Sequence, residues 1–275
     1  MESVAAADVA AYYEFLMSSR RLDGVQPNVV CIGAARSGTT YLMGVLSQSE
    51  DCYVPPVKEV NFFGVFQRPF HPRGLTEIDY ERLFVLGKGR SVIADVSPAY
   101  LAIGRAAKEI FKYRSDMRIV ICVRDPVERF WSHFKYYRRE GMVAEASFEV
   151  FAKEALEQYR AGFDPGTDWA APVMLLRQSF YSWQINLCRA LFGKVLVLFA
   201  EDLAADEAGW RNTLGSFLGV ELQPAPENYR NSSTTEPLDV APGLLEDLRA
   251  LFSDDIVYVQ GLTQRQLADI WPSAR

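Results

Sequence analysis

Val29-Val30-Cys31-Ile32-Gly33-Ala34-Ala35-Arg36-Ser37-Gly38-Thr39-Thr40 is the stretch that decides the fold. Its apolar start reads as a buried strand, its glycine-bounded middle as a tight loop, and its two threonines as the opening of a helix. Backbone N–H groups at a helix start have no intrahelical partners, and the helix dipole favours an anion in front of them. The segment therefore predicts a phosphate cradle formed by Ala35, Arg36, Ser37, Gly38, Thr39 and Thr40.

The spacing resembles the nucleotide loop G-x-x-x-x-G-K-[ST], with one departure. Thr39 holds the lysine slot, and the cation inside the loop is Arg36. An ATP-dependent kinase needs its lysine after the second glycine, where it reaches the β- and γ-phosphates. A cation placed earlier suits a different phosphate donor.

Outward from the loop, near-continuously apolar runs at 29–32, 52–54, 91–96, 118–123 and 194–199 alternate with helical stretches. Helices are expected over 8–20, 39–48, 105–113, 126–140, 148–161 with Ser147 as cap, 174–192, and 210–218 closed by Gly219. Two more are expected over 244–252 and 263–270, the last with capping-box spacing between Thr263 and Gln266. The segment 60–79 has no regular period and reads as an ordered functional loop. Strands apolar on both faces imply a parallel sheet covered on both sides. The expected fold class is α/β, a three-layer P-loop-like fold with a central parallel sheet and helices on both faces. With 275 residues, 49% of them apolar, one domain over 1–275 can bury a substantial core. Residues 1–27 read as a helical extension, and 221–242 as a loop over a bound cofactor.

A formal net charge of -6 argues against bulk attraction to nucleic acid or acidic membranes, so any anion must be met by local arginines. No run approaches the ~18 apolar residues of a membrane span. The acidic, alanine-rich stretch 1–11 lacks the signal-peptide pattern, which gives a cytoplasmic expectation. The four cysteines show no C-x-x-C pair and read as free thiols of a reducing compartment. With only His71 and His133, no metal site is expected.

Ligands of open parallel sheets bind beyond the carboxyl ends of the strands. Besides 33–40, three such ends carry suggestive residues: Asp95-Val96-Ser97-Pro98-Ala99-Tyr100, the segment from Arg124 to Ser132, and Ala200-Glu201-Asp202-Leu203. Arg124 leaves a strand just before a proline-started helix and can grip a second phosphate by two parallel hydrogen bonds. Ser132, with Arg129 three residues before it, adds a neutral donor. Two separated anion sites suggest a ligand with two distant phosphate groups.

Together these residues resemble the sulfotransferases that use 3'-phosphoadenosine 5'-phosphosulfate (PAPS) and release 3',5'-bisphosphoadenosine. The resemblance spans roughly 28–271. It implies that the 33–40 loop binds the 5'-phosphosulfate and that Arg124 and Ser132, in R-x-P-x-x-R-x-x-S form, bind the 3'-phosphate. Arg36 stands where the family most often has lysine; arginine keeps the charge but yields a proton poorly, its pKa lying above ~12. Lys58-Glu59-Val60-Asn61-Phe62-Phe63 resembles the K-E-x-x-F-F element of the carbohydrate-type branch, related to heparan sulfate sulfotransferases. That likeness implies Glu59 as general base on an acceptor hydroxyl, with Lys58 contacting acceptor or cofactor. Ser97-Pro98-Ala99-Tyr100 is similar to the branch's T-P-A-Y, although valine at 96 replaces a frequent lysine. Arg230 and Ser232 fall where the family returns a segment over the donor phosphates.

The implied acceptor is a small molecule, lipid, polyketide or sugar hydroxyl, and the aromatic, weakly basic loops 60–80 and 160–172 favour a neutral or lipophilic alcohol. An ATP- and magnesium-dependent phosphotransferase and a non-catalytic nucleotide-binding module are the alternative readings. Phe62 and Phe63 read as core, His133 as packed within its helix, and Tyr181 as a buried tyrosine with the adenine as its alternative neighbour.

Overall fold

A computed structural model describes residues 23–56, 58–64, 75–166, 168–229 and 238–275. The expected helix at 8–20, His71, Arg230 and Ser232 lie outside them. Among the described residues five strands form one sheet: β1 (Val29–Gly33), β2 (Cys52–Tyr53), β3 (Val92–Val96), β4 (Arg118–Val123) and β5 (Val195–Phe199). Their order is β2-β3-β1-β4-β5, and every pairing is parallel. The chain leaves β1 toward one edge and later returns past it to β4, so β1 sits where the strand order reverses. That is where such sheets bind ligands.

The period-2 alternation of the strands divides the core. Val29 and Cys31 of β1, Val92, Ala94 and Val96 of β3, and Val120 and Cys122 of β4 face one side. They pack there against α1 (Thr39–Gln48) and the later helix α9 (Glu207–Leu218). Val30, Ile32, Ile93, Ile119, Ile121 and Val123 face the larger side. This side is covered by α2 (Glu77–Arg82), α3 (Gly104–Tyr113), α4 (Pro126–Arg139), α5 (Phe148–Arg160), α6 (Pro172–Arg177), α7 (Ser182–Leu191) and α10 (Pro242–Thr263). Each strand therefore loses apolar surface to both faces, at roughly 25 cal/mol per Å² buried.

Several elements differ from the sequence reading. The expected helix 174–192 is broken into α6 and α7, with a turn at 178–181. Asp255 of α10 causes the restart, because its carboxylate accepts from the N–H groups of Tyr181 and Ser182, at 2.9 and 3.0 Å. The two expected helices 244–252 and 263–270 are instead the single α10 followed by a 3-10 turn at Leu267–Asp269. The capping box between Thr263 and Gln266 does not form. Gln264 takes a left-handed φ of 55°, and the Thr263 hydroxyl donates back to the Val259 carbonyl. A short helix α8 (Ala200–Ala205) follows β5 directly, and α9 begins at Glu207 because Asp206 caps it through the Gly209 N–H. The loop expected over 60–79 ends in α2, started by a capping box of Thr76 and Asp79. The four cysteines are buried and unpaired.

Candidate active site

β1 ends in the phosphate-type loop. Gly33 has φ 148°, and a Cβ there would lie 2.5 Å from Leu101 Cβ and 2.7 Å from the Pro98 carbonyl oxygen, so only glycine fits. Arg36 at φ 71° and Gly38 at φ 93° are both left-handed and turn the chain sharply into α1. Gly38 caps α1 without any side-chain bond to its first amides, which leaves them to a ligand. Ser37 is 1% exposed, yet its Oγ has no hydrogen-bond partner among the described residues. A buried orphan hydroxyl beside free helix-start amides is a donor set suited to phosphate.

Arg36 Nε donates to Ser132 Oγ at 3.3 Å. The two residues that the sequence divides between separate anion sites thus touch, and one guanidinium stands at the junction. Its charged centre lies 5.0 Å from the Tyr136 ring centroid, and Arg139 lies 5.4 Å from the same ring. Burial, then Arg139, holds the Arg36 pKa below its usual value. Neither Tyr136 nor Arg139 belongs to a motif in the sequence. The available signal was helical spacing, since Tyr136 is four residues after Ser132 on α4.

Arg124 pairs with Glu128 at 3.2 Å and keeps its side chain partly exposed. Its carbonyl accepts from Tyr181 Oη at 2.9 Å. Tyr181 is thereby a buried brace for the Arg124 backbone. Asp125 caps α4 by accepting from Val127 N and Glu128 N, at 3.0 and 3.1 Å, and also accepts from the Ser273 N–H and hydroxyl. Glu201, from the fourth strand end, accepts from Asp125 N at 2.9 Å and from Trp271 Nε1 at 3.0 Å, so it braces the Arg124 turn. Burial raises its pKa.

Arg129 is fully buried. It donates to the carbonyls of Ala35 and Leu175, to Ser179 Oγ and to Gln178 Oε1, and its fifth partner is His133 Nδ1 at 2.9 Å. Since a guanidinium can only donate, Nδ1 is the acceptor nitrogen of a neutral imidazole. Burial, then the charges of Arg129 and Arg36, push the His133 pKa well below its usual value. By taking the Ala35 carbonyl, Arg129 fixes the phosphate loop from behind.

The turn at 58–63 stands beside this loop. Lys58 Nζ donates to Thr40 Oγ1 at 2.7 Å and pairs with Glu59 Oε1 at 3.4 Å. Glu59 and Asn61 take left-handed φ values of 62° and 50°. Phe62 and Phe63 are buried among Tyr80, Tyr100 and Tyr113, which makes them core and not pocket wall. Glu59, Lys58, Thr40, Arg36 and Ser132 therefore form one partly exposed cluster at the carboxyl ends of β1, β3 and β4. No group of three or more His, Cys, Asp or Glu among the described residues can hold a metal ion, and no described helix is long and apolar enough to cross a membrane.

A parallel sheet whose first strand opens into an anion cradle defines the P-loop-like α/β class. Residues 26–236 match the family model for the sulfotransferase domain, and the chain belongs to the sulfotransferase family. It is similar in structure to a sulfotransferase from Alicyclobacillus acidocaldarius, with a TM-score of 0.71 and 26% identity, covering 89% of this chain and 98% of that one. It shares the fold of the sulfotransferase domain from the Synechococcus PCC 7002 olefin synthase, with a TM-score of 0.53 and 17% identity, covering 89% of this chain and 97% of that one. A search of curated protein sequences gives no significant match.

Proposed function

We propose that this sulfotransferase transfers the sulfuryl group of PAPS to an acceptor hydroxyl, using Glu59 as general base in the manner of the carbohydrate-type branch. One observation carries the reading: Lys58 bridges Glu59 to Thr40 at the start of α1, which brings a carboxylate to the phosphate cradle. The orphan hydroxyl of Ser37, the uncapped amides after Gly38 and the cationic surroundings of Arg36 fit an anionic donor.

Ala35, Arg36, Ser37, Gly38, Thr39 and Thr40 would hold the 5'-phosphosulfate, and Arg124 and Ser132 the 3'-phosphate. The donor supplies an activated sulfuryl group. Glu59 takes the acceptor proton as the acceptor oxygen becomes nucleophilic, a role typically worth ~10²–10⁴-fold. Arg36 and the 37–40 amides balance the charge that builds on the leaving phosphate. Arg36 acts electrostatically and not as a proton donor. Lys58, held between Thr40 and Glu59, keeps the base and the cradle in register. These cations and amides do the work a metal ion does in kinases, so the proposed reaction needs none.

The reading extends to the rest of the chain. In this proposal 1–275 is one sulfotransferase domain, with 1–27 as an extension and 221–242 as a loop that would lie over the donor. Arg230 and Ser232, which lie outside the described residues, would be the groups of that loop that meet the donor phosphates. In support, Tyr229 lies so close to α1 that a Cβ on Gly44 would come within 2.5 Å of Tyr229 Cβ. Four buried free thiols favour a reducing, cytoplasmic setting. The acceptor class is a neutral or lipophilic alcohol on a small molecule, lipid, polyketide or sugar.

Calorimetry with 3',5'-bisphosphoadenosine against ATP and magnesium tests the donor. Tight binding of the bisphosphate without magnesium is the expected result, and preference for ATP with magnesium overturns it. Transfer of labelled sulfuryl to a panel of a primary alkanol, a phenol and a free hexose tests the reaction.

A further inference from the structure

The carboxylate of Asp95 is fully buried on β3, outside the cluster just described, and its bonded partners are three hydroxyls. Ser97 Oγ donates to Oδ1 at 2.6 Å, while Tyr80 and Tyr100 each donate to Oδ2 at 2.9 Å. A hydroxyl has one proton. With that proton directed at Asp95, Ser97 and Tyr100 can offer only lone pairs to anything else. Those lone pairs meet three consecutive amides: Asn61 N reaches Ser97 Oγ at 3.1 Å, and Phe62 N and Phe63 N reach Tyr100 Oη at 2.7 and 3.4 Å. Glu59 N donates to the Val96 carbonyl on the same strand at 3.3 Å.

The turn so held contains two left-handed non-glycine residues, Glu59 and Asn61. Such conformations are unfavourable and persist only where the surroundings over-determine them. A free loop would relax and swing the Glu59 side chain away from α1. Asp95 thus works through two hydroxyls, each polarised so that it can only accept, on the backbone that carries Glu59.

We infer that Asp95, Ser97 and Tyr100 are positioning residues that fix the Glu59 carboxylate beside the phosphate loop. The inference rests on the reading of Glu59 as general base and adds residues to that same site. It also accounts for the shape of the Ser97-Pro98-Ala99-Tyr100 segment, in which Pro98 begins a 3-10 turn at Pro98–Ala102 that brings Tyr100 back over β3.

Tyr100→Phe keeps the ring and removes the oxygen, and Ser97→Ala is the second variant should the first fold poorly. In either variant the 58–64 amides should exchange with solvent at least about tenfold faster while the 35–40 amides are unchanged. The affinity for 3',5'-bisphosphoadenosine should stay within about twofold, and kcat on the best acceptor of the panel should fall at least about tenfold. In a Glu59→Gln background the second substitution should cost less than about twofold, because the group being positioned is gone. Unchanged exchange at 58–64 overturns the inference. An undiminished loss in the Glu59→Gln background overturns it while leaving Glu59 as base. Full activity of Glu59→Gln alone overturns both.

Discussion

The loop at 33–40 takes its turns from glycines at 33 and 38 with Arg129 holding the Ala35 carbonyl, whereas the turn at 58–63 has no glycine and is held by side chains from β3 and the 3-10 turn that follows it. In the first, glycine at 33 and 38 permits the turn and the helix start supplies free amides. In the second, no glycine helps; Asp95 and two hydroxyls hold it from beneath. Under the proposed function the two regions serve two kinds of chemistry. Anion binding needs amides and charge, which a backbone motif provides anywhere. General-base work needs one carboxylate at one place, which calls for a dedicated support.

The contrast breaks most sharply at Glu59. Glu59→Gln should lower kcat by about 10²–10⁴-fold and leave bisphosphate affinity within about twofold, read by labelled transfer and calorimetry. Unchanged turnover would remove Glu59 from the reaction. Next in size is Arg129→Ala, which strips five partners from a fully buried site. It should cost about 2–5 kcal/mol in urea unfolding, because buried acceptors and a cavity are left behind. A cost under about 1 kcal/mol would mean that the Ala35 carbonyl needs no such anchor.

Arg124→Ala should weaken 3',5'-bisphosphoadenosine by about 10–100-fold and AMP far less, the range of a hydrogen bond to a charged group. Equal losses for both ligands would show that Arg124 does not read the 3'-phosphate. The smallest effect is in pH. His133 is buried and its pKa is depressed, so the folded state resists a proton that the unfolded state accepts near pH 6.5. Its contribution is present above that value and is lost as pH falls below it, at up to about 1.4 kcal/mol per pH unit. His133→Gln should flatten that part of the urea-midpoint profile, and an unaltered slope would assign it to other groups.

The parallel sheet and the phosphate loop were legible because both are written locally, in apolar runs and in a glycine spacing. The K-E-x-x-F-F turn was legible as a motif, but the reason it holds its shape was not. Asp95 stands out in the sequence only as part of a suggestive strand end, without a role; only the fold brings the Tyr80 and Tyr100 hydroxyls to it. The break between α6 and α7 was hidden for a similar reason, since the capping carboxylate comes from Asp255, 73 residues beyond Ser182. Contact between Arg36 and Ser132 was equally invisible, being set by how close β1 and β4 lie. Long-range polar partners leave no period in a sequence.

The cap on Asp125 has a consequence for the order of assembly. Ser273, which supplies two of its hydrogen bonds, comes 148 residues after it. A chain made from its N-terminus lays down every strand of the sheet before that partner exists. During synthesis the Arg124 turn is therefore finished late, only once Ser273 has been added and after the sheet beneath it has already formed.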